Sequence, residues 1–259
     1  MTDNVRIDKF ISENSEFTRS QTKELIKKGL VKSDGIIIKK SDFKINPDLN
    51  RIEVSGNTIS YKKDIFILLN KPAGYVCSTD DPDNHTILEL LPPELSGKVF
   101  PVGRLDKDSE GMIVLTNNGD FSHTILSPRK HIPKFYIVKL AEPFKIKYIN
   151  LFREGLVLRN GEVCLPAEVR PLENNELWAF IRIEEGKYHQ VKRMFASVGN
   201  HVDYLFRFCI GSLEIPSKLG IGDYMEIMHK DVEKLLQPPD FNVIFKNLYV
   251  HFSSYLINK

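Results

Sequence analysis

The sequence predicts an α+β protein in two parts, a small N-terminal α+β module followed by a larger domain with a mixed, largely antiparallel sheet flanked by helices. Three observations predict it. Two short amphipathic helical patterns open the chain and give way to brief β-branched runs. Beyond residue 64, apolar strands alternate with helices without a regular βαβ period. Finally, 259 residues with 42% hydrophobic and 27% charged side chains suffice for an enclosed core and exclude a disordered, collagen-like or solenoid chain.

Taken in order, residues 6–13 (RIDKFISE) and 20–28 (SQTKELIKK) have helical periodicity. Thr18 and Gln21 have the spacing of a capping box, and Gly29 is a stop signal. Ser33-Asp34-Gly35 is a turn, and Ile36 to Ile38 and Arg51 to Val54 are short strands. Residues 55–64 (SGNTISYKKD) read as a polar linker. An apolar strand from Asp64 then exits at Asn70-Lys71-Pro72-x-Gly74. Further strands are expected at 111–116, 134–141, 162–169 and 176–184, and helices at 86–91, 120–126, 145–154 and 187–198, the last two closed by Gly155 and Gly199. In 176–184, Leu177, Ala179, Ile181 and Ile183 share one face, and Trp178 and Phe180 the other, which marks a central strand. These limits predict domains over 1–60 and 61–236, with a C-terminal extension, 237–259, that opens on Pro238-Pro239.

The net charge is only +2, but residues 1–63 carry 13 Lys or Arg against 9 Asp or Glu. Basic excess therefore belongs to the front module, at Arg6, Lys9, Arg19, Lys23, Lys27 and Lys28. Lys23 and Lys27 stand one helical turn apart. Such cations suit successive phosphates, although a charge run alone is more often a solvated helix face. Cys77, Cys164 and Cys209 match no metal or disulfide spacing and are expected as buried thiols in a reducing compartment. With a polar N-terminus and no long apolar run, a cytoplasmic protein without membrane association is expected.

Three segments hold side chains suited to chemistry. Gly103-Arg104-Leu105-Asp106-Lys107-Asp108-Ser109-Glu110-Gly111 is a charged loop between two glycines. It can present a carboxylate into a cleft, yet by itself such a loop is more often a solvated turn. Lys134-Phe135-Tyr136 begins a strand, where a tyrosine usually packs. Glu185 to Phe195 contains a helix whose Val191, Met194, Phe195 and Val198 follow core periodicity, leaving Lys192 and Arg193 to flank that stripe.

RIDKFISENSEFTRSQTKELIKKGLVKSDG resembles the S4 RNA-binding domain, and LLNKPAGYVCST, GRLDKDSEG, KFY and GKYHQVKRMF, in that order, resemble the four motifs of the pseudouridine synthases. Within the branch that carries an S4 domain and acts on ribosomal RNA, GDFSHTILSPR and EGKYHQVKRMFASVGNHV look most like the small-subunit (16S) type.

The resemblance implies a catalytic aspartate at Asp106, a base-stacking tyrosine at Tyr136 and a basic partner at Lys192. It also implies RNA or substrate contacts at Arg104, Gln190, Arg193 and Arg207, besides the cations of the front module. Two positions depart from the branch: only Arg207 is basic in Leu205 to Gly211, and Met225 stands where arginine is common. The implied reaction isomerises uridine to pseudouridine at a 16S site of the uridine 516 type, after base flipping. Nothing is gained or lost, so no metal or other cofactor is expected. Whether the carboxylate adds to C1′ or C6, or removes the C2′ proton, stays open. The implied partner is ribosomal RNA in a small-subunit assembly intermediate, met by a monomer. A large-subunit (23S) enzyme and a non-catalytic S4-type assembly factor are the alternatives.

Overall fold

The structure, a computed structural model, describes residues 4–60, 64–173 and 175–256, with side chains described as far as residue 248. Residues 1–64 and 65–259 form two compact units.

In the first unit, β1 (Val5–Arg6) leads into α1 (Ile7–Asn14) and α2 (Arg19–Lys27), followed by β2 (Val31–Ser33), β3 (Ile36–Ile37), β4 (Lys44–Ile45), β5 (Ile52–Val54) and β6 (Asn57–Ile59). Thr18 and Gln21 form the capping box that their spacing predicts, satisfying the first free amides of α2. Asp34 and Gly35, both at positive φ, make the tight turn joining β2 to β3. Ile7, Phe10 and Ile11 of α1 pack with Ile26, Val31 and Ile52 into this unit's core. The linker expected at 55–64 is corrected in its first half. Ser55 and Gly56 at φ +52° and +85° make a second two-residue turn, so β6 pairs with β5 instead of trailing free. The boundary expected between residues 60 and 61 borders residues 61–63, which lie outside the described residues.

The second unit comprises β7 (Phe66–Lys71), α3 (Pro93–Ser96), β8 (Phe100–Val102), β9 (Glu110–Thr116), α4 (Gly119–Leu126), β10 (Lys134–Leu140), α5 (Tyr148–Glu154), β11 (Glu168–Leu172), β12 (Asn175–Ile183), α6 (Gln190–Ser197), β13 (Val202–Ile210), β14 (Leu213–Glu214), β15 (Tyr224–Glu226), α7 (His229–Leu235) and α8 (Phe241–Leu256). The sheet runs β11-β12-β10-β13-β9-β7-β15, with β14 on β13 and β8 on β9. All its pairings are antiparallel except β13 with β9.

Alternation sends side chains of the central strands to opposite faces. Ile67, Leu69, Ile113 and Leu115 pack with Phe152 of α5 and Phe195 of α6. Leu68, Met112 and Val114 pack on the other side with Phe241 and Ile244 of α8, so the C-terminal segment adds a helix that covers the back of the sheet. On β12 the expected alternation holds from Trp178 to Ile183, while Leu177 packs on the Trp178 side.

Several element boundaries differ from expectation, among them the helix expected from 145, which begins at Tyr148. The strand expected at 162–169 begins only at Glu168, because residues 162–167 include Pro166, which has no amide to donate to a ladder. The helix expected from 187 begins at Gln190, because His189 sits in the left-handed region at φ +45° and ψ +37°. The helix expected at 86–91 is a single 3-10 turn over Ile87–Leu90, capped by Thr86 and Glu89. All three cysteines are buried free thiols.

Candidate active site

The loop 103–109 connects β8 to β9 and is held from beneath by the exit of β7. Lys71, fully buried, donates from Nζ to the main-chain carbonyls of Pro72 at 3.0 Å, Asp106 at 3.1 Å, Lys107 at 3.3 Å and Ser109 at 2.7 Å. The amide of Gly74 donates to the carbonyl of Lys107 at 2.7 Å. Pro72 turns the chain out of the sheet, so the lysine that precedes it ends directly under the loop. Burial pushes the Lys71 ammonium down to about 8, despite the opposing influence of Cys77, Asp108 and Glu110. Sequence reasoning assigned no role to Lys71; its signal was a charged residue closing the apolar run Phe66 to Leu69 just before a proline.

Above the loop, a cleft of about 810 Å³ is lined by Arg104, Asp106, Lys134, Tyr136, Gln190 and Arg207 among others. The Asp106 carboxylate is 23% exposed, so it stands in a recess and not on a convex surface. Helix α6 approaches it with its first turn. Lys192 Nζ lies 3.6 Å from Asp106 Oδ2 and 2.5 Å from Asp108 Oδ1, and His189 Nε2 lies 3.4 Å from Asp106 Oδ1. Desolvation works against ionisation of Asp108, but the hydrogen bond and charge of Lys192 outweigh it and hold that carboxyl below the usual range. His189, unassigned from sequence, reaches the carboxylate because of its left-handed backbone, with its ring stacked on Tyr188.

Tyr136 is buried to 6% exposure on β10, opposite Arg207 on β13, and both side chains border the cleft. On the other side of Arg207 the register needs Gly111. A Cβ there would stand 2.4 Å from the carbonyl oxygen of Arg207, so only glycine lets β9 and β13 meet where the loop ends. Arg207 donates from Nε to the Met112 carbonyl at 2.7 Å and from Nη1 to the Arg104 carbonyl at 3.4 Å. Lys134 donates to the Ile132 carbonyl at 2.8 Å, and burial together with the charge of Arg207 pushes its ammonium down to about 8.

The other expected residues are distributed unevenly. Arg104 is exposed at the cleft edge. Gln190 is 4% exposed and secures the turn before α6, accepting from the Lys187 amide and donating to Glu185. Arg193 points away from Asp106 and is bound by Glu162, Asn160 and the Tyr188 carbonyl. In the front unit Arg6 is bound to buried Asp8, Lys9 to Glu13 and Lys27 to Glu24, whereas Arg19, Lys23 and Lys28 are exposed without an ion pair among the described residues.

The arrangement is a half-buried carboxylate, two cationic or titratable neighbours to orient it, and an aromatic ring in one recess. It can act on a small polar ring system turned into the cleft.

Comparison with known proteins bears on the same residues. Residues 65–197 match the family described as RNA pseudouridylate synthase, and residues 5–49 match the S4 domain. A protein of Haemophilus influenzae named ribosomal small subunit pseudouridine synthase A is 38% identical over 235 residues, 90% of this chain and 100% of the relative. The protein of that name in Escherichia coli K12 is 36% identical over 242 residues, with the same coverage. A Bacillus subtilis protein described as an uncharacterized RNA pseudouridine synthase is 35% identical over 237 residues, 90% of this chain and 99% of its own. A crystal structure of a pseudouridylate synthase superposes with a TM-score of 0.65 at 38% identity, covering 89% of this chain and 99% of the other.

Proposed function

Because the chain belongs to the RNA pseudouridylate synthase family, isomerases that convert uridine to pseudouridine, we propose that its substrate is a uridine of small-subunit ribosomal RNA, at a site of the 16S uridine 516 type. The small-subunit assignment rests on relatives of that name matched along nine-tenths of this chain.

In this reading a uridine is flipped out of the RNA into the cleft. The N1–C1′ bond breaks, the uracil turns, and C5 joins C1′. The proton on C5 leaves and N1 acquires one, so the product has the composition of the substrate. Asp106 is the carboxylate that acts on the ribose–uracil unit, with Lys192 and His189 directing its two oxygens. Tyr136 stacks on the uracil. Arg104, exposed at the mouth two residues before Asp106, fills the gap left in the RNA or holds a phosphate. The domain of residues 1–60 anchors the RNA through Arg19, Lys23 and Lys28.

The observation that carries the reading is the Asp106 carboxylate, recessed in a cleft and within 3.6 Å of Lys192. The test is to map pseudouridines across both ribosomal RNAs in cells with and without this protein. Loss of one pseudouridine from the small-subunit RNA is expected. Loss from the large-subunit RNA reassigns the substrate, and unchanged RNAs overturn the reading.

A further inference from the structure

Arg207 is 3% exposed, borders the cleft and uses only two of its three nitrogens. Nε and Nη1 are bound to the main-chain carbonyls of Met112, just beyond the loop that carries Asp106, and Arg104, within it, while Nη2 is buried without a hydrogen-bond partner among the described residues. An orphaned donor on a buried guanidinium is costly. Lys134 borders the same cleft and donates to the Ile132 carbonyl. Among the described residues, neither cation has a carboxylate within ion-pair distance. The carboxylates nearby are already engaged: Glu184 by Arg182, Glu185 by Lys187 and Asp106 by Lys192. Two positive charges thus stand at the wall of the cleft with no carboxylate in ion-pair contact among the described residues, Glu184 acting on Lys134 only from a distance.

We propose that Arg207 and Lys134 form an anion-stabilising wall that receives the negative charge of the uracil ring while it is detached from the ribose. This rests on the cleft being the site of uridine isomerisation. As the N1–C1′ bond breaks, its electron pair stays with the ring, and the resulting uracilate spreads that charge over O2 and O4. The guanidinium of Arg207, held 3% exposed in the cleft wall, and the ammonium of Lys134 act on these oxygens by their charge. When C5 bonds to C1′, the pair returns to that bond, C5 releases its proton, N1 gains one, and the ring is neutral again. By either the C1′ or the C2′ route of Asp106, the detached ring carries this charge. The uracil of bound substrate is neutral, so the wall acts on the transition state far more than on binding. A backbone phosphate held by the same cations would instead be gripped equally before and during reaction.

The test uses the full-length protein and a small-subunit RNA transcript, with Arg207→Met, Arg207→Lys and Lys134→Met. Arg207→Met is expected to slow single-turnover pseudouridine formation by about 100-fold while the transcript's Kd moves by no more than about threefold. Arg207→Lys, which keeps the charge, regains part of that rate, and Lys134→Met is slowed with Kd likewise preserved. Rates for both methionine variants within about twofold of the parent, or losses confined entirely to Kd, overturn the proposal. Should Arg207→Met lose its cooperative melting transition, Lys134→Met decides by the same criteria. A parent protein that makes no pseudouridine in either ribosomal RNA overturns the underlying reading, whereas an active parent with equally active variants overturns only this inference.

Discussion

Lys71 donates from its ammonium to the main-chain carbonyl of Asp106 at 3.1 Å, from 35 residues earlier in the chain and from inside the protein. The backbone of the loop that carries the proposed reacting carboxylate is therefore tied to a charged group whose burial disfavours its charge.

A pH dependence with two opposite signs follows. With Lys71 pushed down to about 8, raising the pH through that value removes one donor and the charge beneath the loop. Lys134 discharges in the same range. Activity is expected to fall above pH 8. Stability moves the other way. Between about 8 and the ordinary lysine value near 10.5 the unfolded chain holds the proton that folded Lys71 has lost, so the contribution of Lys71 to stability rises with pH, by about 3 kcal/mol at most. Initial rates and denaturant unfolding from pH 7 to 10 check this. A decline in rate that tracks unfolding would refute it.

Asp106→Asn is expected to bind the transcript as the parent does and to lose at least about 1000-fold in rate. Lys192→Met should lose activity as well, because it releases both Asp106 and Asp108, while Lys192→Arg retains more of it. Single-turnover assays with equilibrium binding separate these outcomes, and an active Asp106→Asn protein removes Asp106 from the chemistry.

Gly111→Ala is expected to destabilise the protein by about 3 kcal/mol or more, since the new Cβ meets main-chain atoms of Arg207 at a φ of +103°. Gly119→Ala serves as its control. That glycine opens α4 with no atom within 4 Å of an added Cβ, so little change in stability is expected. Thermal unfolding of the pair measures the difference.

Replacing Arg19, Lys23 and Lys28 together by Gln is expected to weaken RNA binding and flatten its dependence on salt. Each phosphate that the variant no longer neutralises reduces the slope of log K against log salt by about 0.7–0.9, so the triple substitution should flatten it by about 2. Filter binding over a range of salt concentrations checks this. A slope equal to the parent's would dismiss these side chains as the anchor.

Much of the fold was legible because periodicity records burial. The Thr18–Gln21 cap, the turn at Asp34–Gly35, the core face of Val191, Met194 and Phe195, and both faces of β12 from Trp178 onward stand where residue types put them. The hairpin at Ser55–Gly56 was missed because its strand is polar and short, which is how a linker reads as well. The late start of α6 was missed because nothing in the residue type of His189 announces a left-handed backbone.

The candidate site divides in the same way. That Asp106, Tyr136 and Lys192 were expected in one site came from the resemblance of three short motifs to those of the pseudouridine synthases, not from their residue types alone. That Gln190 and Arg193 are spent on the protein's own turns and carboxylates, while Lys71 supports the loop from below, was decided by tertiary structure. So was the unbalanced charge of Arg207, whose carbonyl partner at Arg104 lies 103 residues away. The physical reason is that a side chain's chemistry and the face it occupies are written locally, whereas the partner of a buried charge depends on strand register between segments far apart in the chain.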